Sequence, residues 1–135
     1  MSLDDYSRDI MVNREMERAN HTLQVAMKLA NDQEWNDAAG RIYYALFHAV
    51  SALLIRDHLQ VKSHKGAYTL LCQHYVNTGK MEKNFGDFYR KMEIIREKGE
   101  YDCFYDADAE DVQGSIPTAK EMIDAIAKMV KGEEK

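Results

Sequence analysis

Asp37, Arg41, Tyr44 and His48 follow one another at spacings of four, three and four residues, and on a helix turning 100° per residue they share one face. Their chemistry is complementary. A guanidinium grips a phosphate or carboxylate through two parallel bonds, a tyrosine donates a hydrogen bond or offers its ring, and an imidazole moves protons near neutral pH. Such a face is also what any bundle helix shows to water. Seven positions separate Arg41 from His48, roughly 10.5 Å along a helix axis, so the pair reads as a surface that binds and not as a catalytic dyad. Asp37 is expected to pair with Arg41 at i,i+4.

His64 and Lys65 stand at the expected start of a third helix, where free N–H groups and the helix dipole favour an anion; capping and a plain surface role are the competing reading. Tyr43 and Phe47 lie beside an apolar stripe and read as core or as part of a dimer face. His58, His64, Cys72 and His74 lack the paired spacing of a structural zinc site, so neither a metal nor a cofactor is expected. No glycine-rich phosphate loop is present.

The elements that must position these residues are helical. Among 135 residues, 45% hydrophobic and 30% charged, there are one proline and seven glycines, too few turn-makers for a many-stranded sandwich. The length suits a single domain over 1–135. Val12, Met16, Ala19, Leu23, Ala26 and Ala30 keep a three-four beat that ends near Asn31 and Asp32. A second helix over 34–58 carries Trp35, Ala39, Ile42, Leu46, Ala49 and Leu53 on its apolar side. A shorter one over 65–76 has Ser63 as N-cap and Thr78-Gly79 as its stop.

The fourth helix shows Met81, Phe85, Phe88, Met92 and Ile95 and is expected to end at Lys98-Gly99. A fifth runs from near Asp108 to Val130, with Pro117 predicting a kink or a later start. The fold class is therefore all-α, an antiparallel up-and-down bundle of four long helices with the shorter helix across one end or side. Between the last two helices the aromatics Tyr101, Phe104 and Tyr105 suggest a loop that packs down, and residues 132–135 are expected to fray.

Eighteen basic and twenty-three acidic residues leave a net charge of −5, so any nucleic-acid contact must be local. Cys72 and Cys103 do not make a disulfide framework, the chain opens on acidic residues, and no run of about 18 apolar residues appears; a soluble cytoplasmic protein with semi-buried thiols and no membrane contact is expected. The eight methionines supply adaptable apolar surface suited to a partner.

Three segments carry a resemblance. Ala38-Ala-Gly-Arg41-Ile-Tyr-Tyr44-Ala-Leu-Phe-His48-Ala49, then Lys62-Ser-His64-Lys65-Gly-Ala67, then Arg96-Glu-Lys-Gly-Glu-Tyr101-Asp102 together resemble the HEPN superfamily (higher eukaryotes and prokaryotes nucleotide-binding), closest to its small stand-alone bacterial members. The resemblance implies a bundle like the C-terminal domain of kanamycin nucleotidyltransferase, a tendency to homodimerise, and pairing with a minimal nucleotidyltransferase partner in toxin–antitoxin-like modules. Active members are metal-independent ribonucleases marked by an arginine and, four to six residues on, a histidine.

At the matching place this chain has Arg96 and then Tyr101, a residue that titrates near 10 and is a poor base at pH 7. Binding survives that replacement better than catalysis does. The reading that follows is a module that binds nucleotide or RNA phosphate through Arg41, Tyr44, His48, His64, Lys65 and Arg96, or docks the nucleotidyltransferase. The alternatives are a ribonuclease toxin attacking through the 2′-hydroxyl, with Arg96 and Tyr101 or a histidine from elsewhere as its catalytic pair, and a non-catalytic dimeric interaction bundle.

Overall fold

The computed structural model describes residues 4–132. Five α-helices follow in order: α1 (Asp5–Asn31), α2 (Trp35–Arg56), α3 (His64–Leu71), α4 (Lys83–Tyr101) and α5 (Ala109–Val130), with a π-helical turn at Cys72–Val76. Among the described residues there is no strand, and the fold is the all-α bundle its periodicity predicts. Residues 133–135, for which fraying was expected, lie outside the described residues.

Helix α1 starts where the Asp4 carboxylate accepts from the Ser7 N–H at 2.7 Å. It stops where Gln33 takes φ 63°, which lets the Glu34 N–H reach back to the Leu29 carbonyl at 2.9 Å and sends α2 back antiparallel along α1. Val12, Ala19, Leu23, Ala26 and Ala30 of α1 are buried as their beat requires, and Met16 is half-buried.

Helix α2 departs from its expected division into an apolar and a polar side. It packs against α1, α3, α4 and α5, and buries Ala38, Tyr43, Ala45, Val50, Ser51, Ala52 and Leu54 besides most of the predicted stripe. By length and composition it is apolar enough to cross a membrane, with mean hydropathy 1.4 over its most apolar window, although Arg41 and His48 interrupt any continuous apolar run; that window is 67% buried against the other helices, as a core helix requires.

The third helix is shorter than expected, ending at Leu71 before the π turn, while Gly79 at φ +80° forms the predicted stop. Helix α4 runs through Gly99 to Tyr101 instead of ending at Lys98-Gly99, because Gly99 keeps helical geometry beside Asn36. Pro117 lies inside an unbroken α5, which begins at the Asp108 cap, so the later start does not occur. Of the aromatics Tyr101, Phe104 and Tyr105 only Tyr105 packs down, and Ala107 of the loop over 102–108 is buried. Asn36 holds that segment, donating to the Tyr105 carbonyl at 3.1 Å and accepting from the Ala107 N–H at 2.6 Å, while Phe104 is 92% exposed.

Candidate functional site

The polar residues gather where α2, α3 and α4 meet. Helix α4 carries Tyr89, Glu93, Arg96 and Glu100 at spacings of four, three and four, the same beat as the polar stripe of α2, and its first three members are buried. This row faces Tyr43 and Tyr44. The Arg96 guanidinium carbon lies 5.1 Å from the Tyr43 ring centre and 5.7 Å from that of Tyr44. Its side chain is only 9% exposed. The guanidinium donates through Nη1, to Glu100 Oε2 at 3.2 Å and to the Tyr44 hydroxyl at 3.5 Å; its Nε–H is buried and has no partner among the described residues.

His64 enters from the start of α3, where the Ser63 hydroxyl accepts from the Gly66 N–H at 2.9 Å. A Cβ at Gly66 would lie 3.0 Å from the Ser63 oxygen, a tight contact that the serine would have to ease by a few tenths of an ångström. The His64 imidazole packs 4.4 Å from the Phe47 ring, 5.6 Å from Tyr43 and 5.8 Å from Tyr44, so it and Arg96 flank the same two tyrosines. Its Nδ1 shares a 2.9 Å hydrogen bond with the Tyr43 hydroxyl, which stands 3.5 Å from the Tyr89 hydroxyl.

These contacts fix the protonation states. Burial, then the Arg96 charge, lowers the His64 pKa below 6.5 and keeps its imidazole neutral at pH 7. Burial pushes the Tyr43 hydroxyl up to about 12, and Tyr89, deeper still, rises further. Burial opposes the charge on Arg96, but the Tyr44 hydroxyl, Glu100 and Tyr43 outweigh it and hold its pKa above the ordinary value. The buried Glu93 carboxylate accepts from Arg90 Nη1 at 2.6 Å, so that negative charge is already paired.

The structure brings Arg41, Tyr44, His64 and Arg96 together. Arg41 is exposed, and its guanidinium carbon sits 4.9 Å from the Tyr44 ring centre, while no ion pair joins it to Asp37 among the described residues. Lys65 is exposed beside His64. His48 stands apart. Its Nδ1 meets Glu15 Oε1 of α1 at 2.6 Å, because the seven-residue step carries it toward a different neighbouring helix. Tyr101, at the end of α4, is 79% exposed and has none of the contacts that tie Tyr44 to Arg96. Tyr43 is buried as core, yet its hydroxyl is the atom that orients His64. Tyr89, Glu93 and Glu100 were missed; their four-three-four spacing around Arg96 was the available signal.

Of the two thiols, Cys72 is half-buried and Cys103 is exposed, against the expectation that both are covered; both are free.

Fold and site together define a small all-helical bundle whose buried charged side chains, Glu93 and Arg96, lie on its fourth helix, with Arg96 against the tyrosines of the second. The profile of the HEPN domain matches residues 12–130, and the chain belongs to that family. A "UPF0332 protein" of Thermotoga maritima is 36% identical over 113 residues, covering 84% of this chain and 86% of that protein. "Putative toxin MJ0605" of Methanocaldococcus jannaschii is 31% identical over 116 residues, 86% of each chain, and "Putative toxin MJ0142" of the same organism is 23% identical over 108 residues, 80% of this chain and 72% of its own length.

Proposed function

We propose that this chain is the toxin-like HEPN component of a two-protein module and that it binds the phosphate of RNA or a nucleotide at Arg96. One observation carries the reading: a guanidinium nine-tenths buried between two tyrosine rings, with an unpartnered Nε–H and a neutral imidazole across the same rings. Holding a cation there carries a desolvation cost that an ordinary surface arginine avoids, and an arriving anion offsets it. Arg41 and Lys65 add exposed positive charge at the rim. A minimal nucleotidyltransferase as partner, a homodimer and a cytoplasmic location belong to the same reading, and the family likeness supports them.

Metal-independent RNA cleavage is the second reading, and the position of His64 favours it. The sequence lacks the motif histidine after Arg96, but α3 supplies one beside the same rings. With Nδ1–H donating to the Tyr43 oxygen, Nε2 is free to take the proton of a ribose 2′-hydroxyl. The 2′-oxygen then attacks phosphorus, the bond to the 5′-oxygen breaks, and that oxygen takes up a proton; Arg96 neutralises the phosphorane.

Calorimetric titration with ATP and a short RNA tests the first reading. Arg96→Ala is expected to weaken binding about a hundredfold, the loss of a charge-assisted fork, and Arg41→Ala by less than about tenfold. Binding untouched by Arg96→Ala overturns it. Growth arrest on expression, abolished by both Arg96→Ala and His64→Ala, would favour the second.

A further inference from the structure

Glu100 holds the place that a phosphate would take. Its Oε2 accepts from Arg96 Nη1 at 3.2 Å while its Oε1 accepts from the Tyr44 hydroxyl at 3.4 Å, so residues of two helices clamp both oxygens of one carboxylate. Glu100 is 41% exposed where Arg96 is 9% exposed, which puts the carboxylate on the solvent side of the guanidinium. An anion arriving from water meets Glu100 first.

An ordinary i,i+4 pair on a helix surface is loose and worth little. This one differs, because the cation is walled in by Tyr43 and Tyr44 and the carboxylate uses only Nη1 of its fork. A phosphate that displaced Glu100 would inherit Nη1 and the Tyr44 hydroxyl and would leave the Glu100 charge nearby as a repulsion. Just beyond Glu100, Tyr101 and Phe104 are 79% and 92% exposed, two unpartnered rings of the kind on which the bases of a single strand stack.

We propose that Glu100 is a specificity-determining residue, an internal anion that keeps free phosphate off Arg96 and yields to a phosphate carried on a single-stranded oligonucleotide, whose bases stack on Tyr101 and Phe104. The proposal rests on the reading of Arg96 as the phosphate site and adds the class of ligand that site accepts. Displacement of a clamped carboxylate disfavours every anion alike, and stacking restores affinity only to ligands that carry bases.

Titrations of wild type, Glu100→Gln, Arg96→Ala and the double variant with inorganic phosphate and with a hexauridylate test it. Glutamine keeps the size of the side chain and the hydrogen bonding to Tyr44, and removes the charge. Glu100→Gln is expected to tighten inorganic phosphate about tenfold and the oligonucleotide by less, so that discrimination between them narrows, and the gain should vanish in the double variant. Unchanged or weaker phosphate binding in Glu100→Gln, with oligonucleotide binding still dependent on Arg96, overturns the role of Glu100 and leaves the phosphate site standing. A gain that persists without Arg96 also overturns it, as general charge removal. Oligonucleotide binding that is absent, or indifferent to Arg96→Ala, removes the phosphate site itself and this proposal with it.

Discussion

Arg56 and Arg96 each have a carboxylate and a tyrosine beside them, and the two clusters are built differently. At the end of α2, Arg56 Nε and Nη2 donate to the two oxygens of Asp57 at 2.9 and 3.0 Å, Nη1 donates to the Met129 carbonyl of α5, and the Tyr75 hydroxyl donates to Asp57 at 2.5 Å. Every limb of that fork is engaged, and the cluster ties the ends of α2 and α5 and the π turn together. At Arg96 only Nη1 is engaged among the described residues. A guanidinium satisfied on all sides holds structure, whereas one left with spare donors beside a neutral imidazole is available to a ligand.

The largest effects should separate the two clusters cleanly. Arg56→Ala leaves the Asp57 carboxylate only the Tyr75 hydroxyl and the Met129 carbonyl only the Gly132 N–H, and is expected to lower unfolding stability by about 2 kcal/mol, read by urea denaturation, with phosphate affinity unchanged. Arg96→Ala should do the reverse, losing binding far more than stability, because the fold loses only ring packing and the bonds of one Nη1, fewer than the fully engaged fork of Arg56. Equal stability losses in the two variants would erase the distinction.

Periodicity showed most of the fold and only the separate pieces of the site. The buried residues of α1 stand where the three-four beat puts them, since a helix packed through one face needs only that face apolar. Helix α2 was harder, because a helix surrounded by four others buries residues all round and a two-sided reading of Tyr43 breaks down. Arg41, Tyr44, His64 and Arg96 were visible as chemistry, but their meeting depends on how α3 docks and on where α4 faces α2, which local spacing does not contain. His48 shows the converse: it shares a stripe with Tyr44, and one helical turn further on it meets α1 and Glu15 instead.

A subtler test lies inside the site. Tyr43→Phe keeps the buried ring and the Arg96 stacking but removes the hydroxyl that holds His64 Nδ1 at 2.9 Å. Stability should fall by about 1 kcal/mol, the value of one buried hydrogen bond, and phosphate affinity should change less than about threefold. If the second reading holds, RNA cleavage would drop far more than binding, since the imidazole loses the partner that sets its tautomer. A parallel loss of binding and cleavage would instead assign Tyr43 a direct role at the anion.

The smallest effect distinguishes the clusters by pH. His64 has its pKa lowered from 6.5 by burial and then by the Arg96 charge, so between its folded value and 6.5 the unfolded chain binds a proton that the folded chain refuses. Its contribution to stability is therefore complete above pH 6.5 and is lost as the pH falls through the folded value. Asp57, whose pKa is lowered from 3.8, acts in the same direction but only in more acid solution. Denaturation series between pH 5 and 7 should show a shallow slope that His64→Gln removes and Arg56→Ala retains. An anion seated on Arg96 offsets the charge that disfavours protonated His64, so inorganic phosphate should raise the imidazole's NMR titration midpoint in Glu100→Gln and leave it unmoved when Arg96 is also replaced.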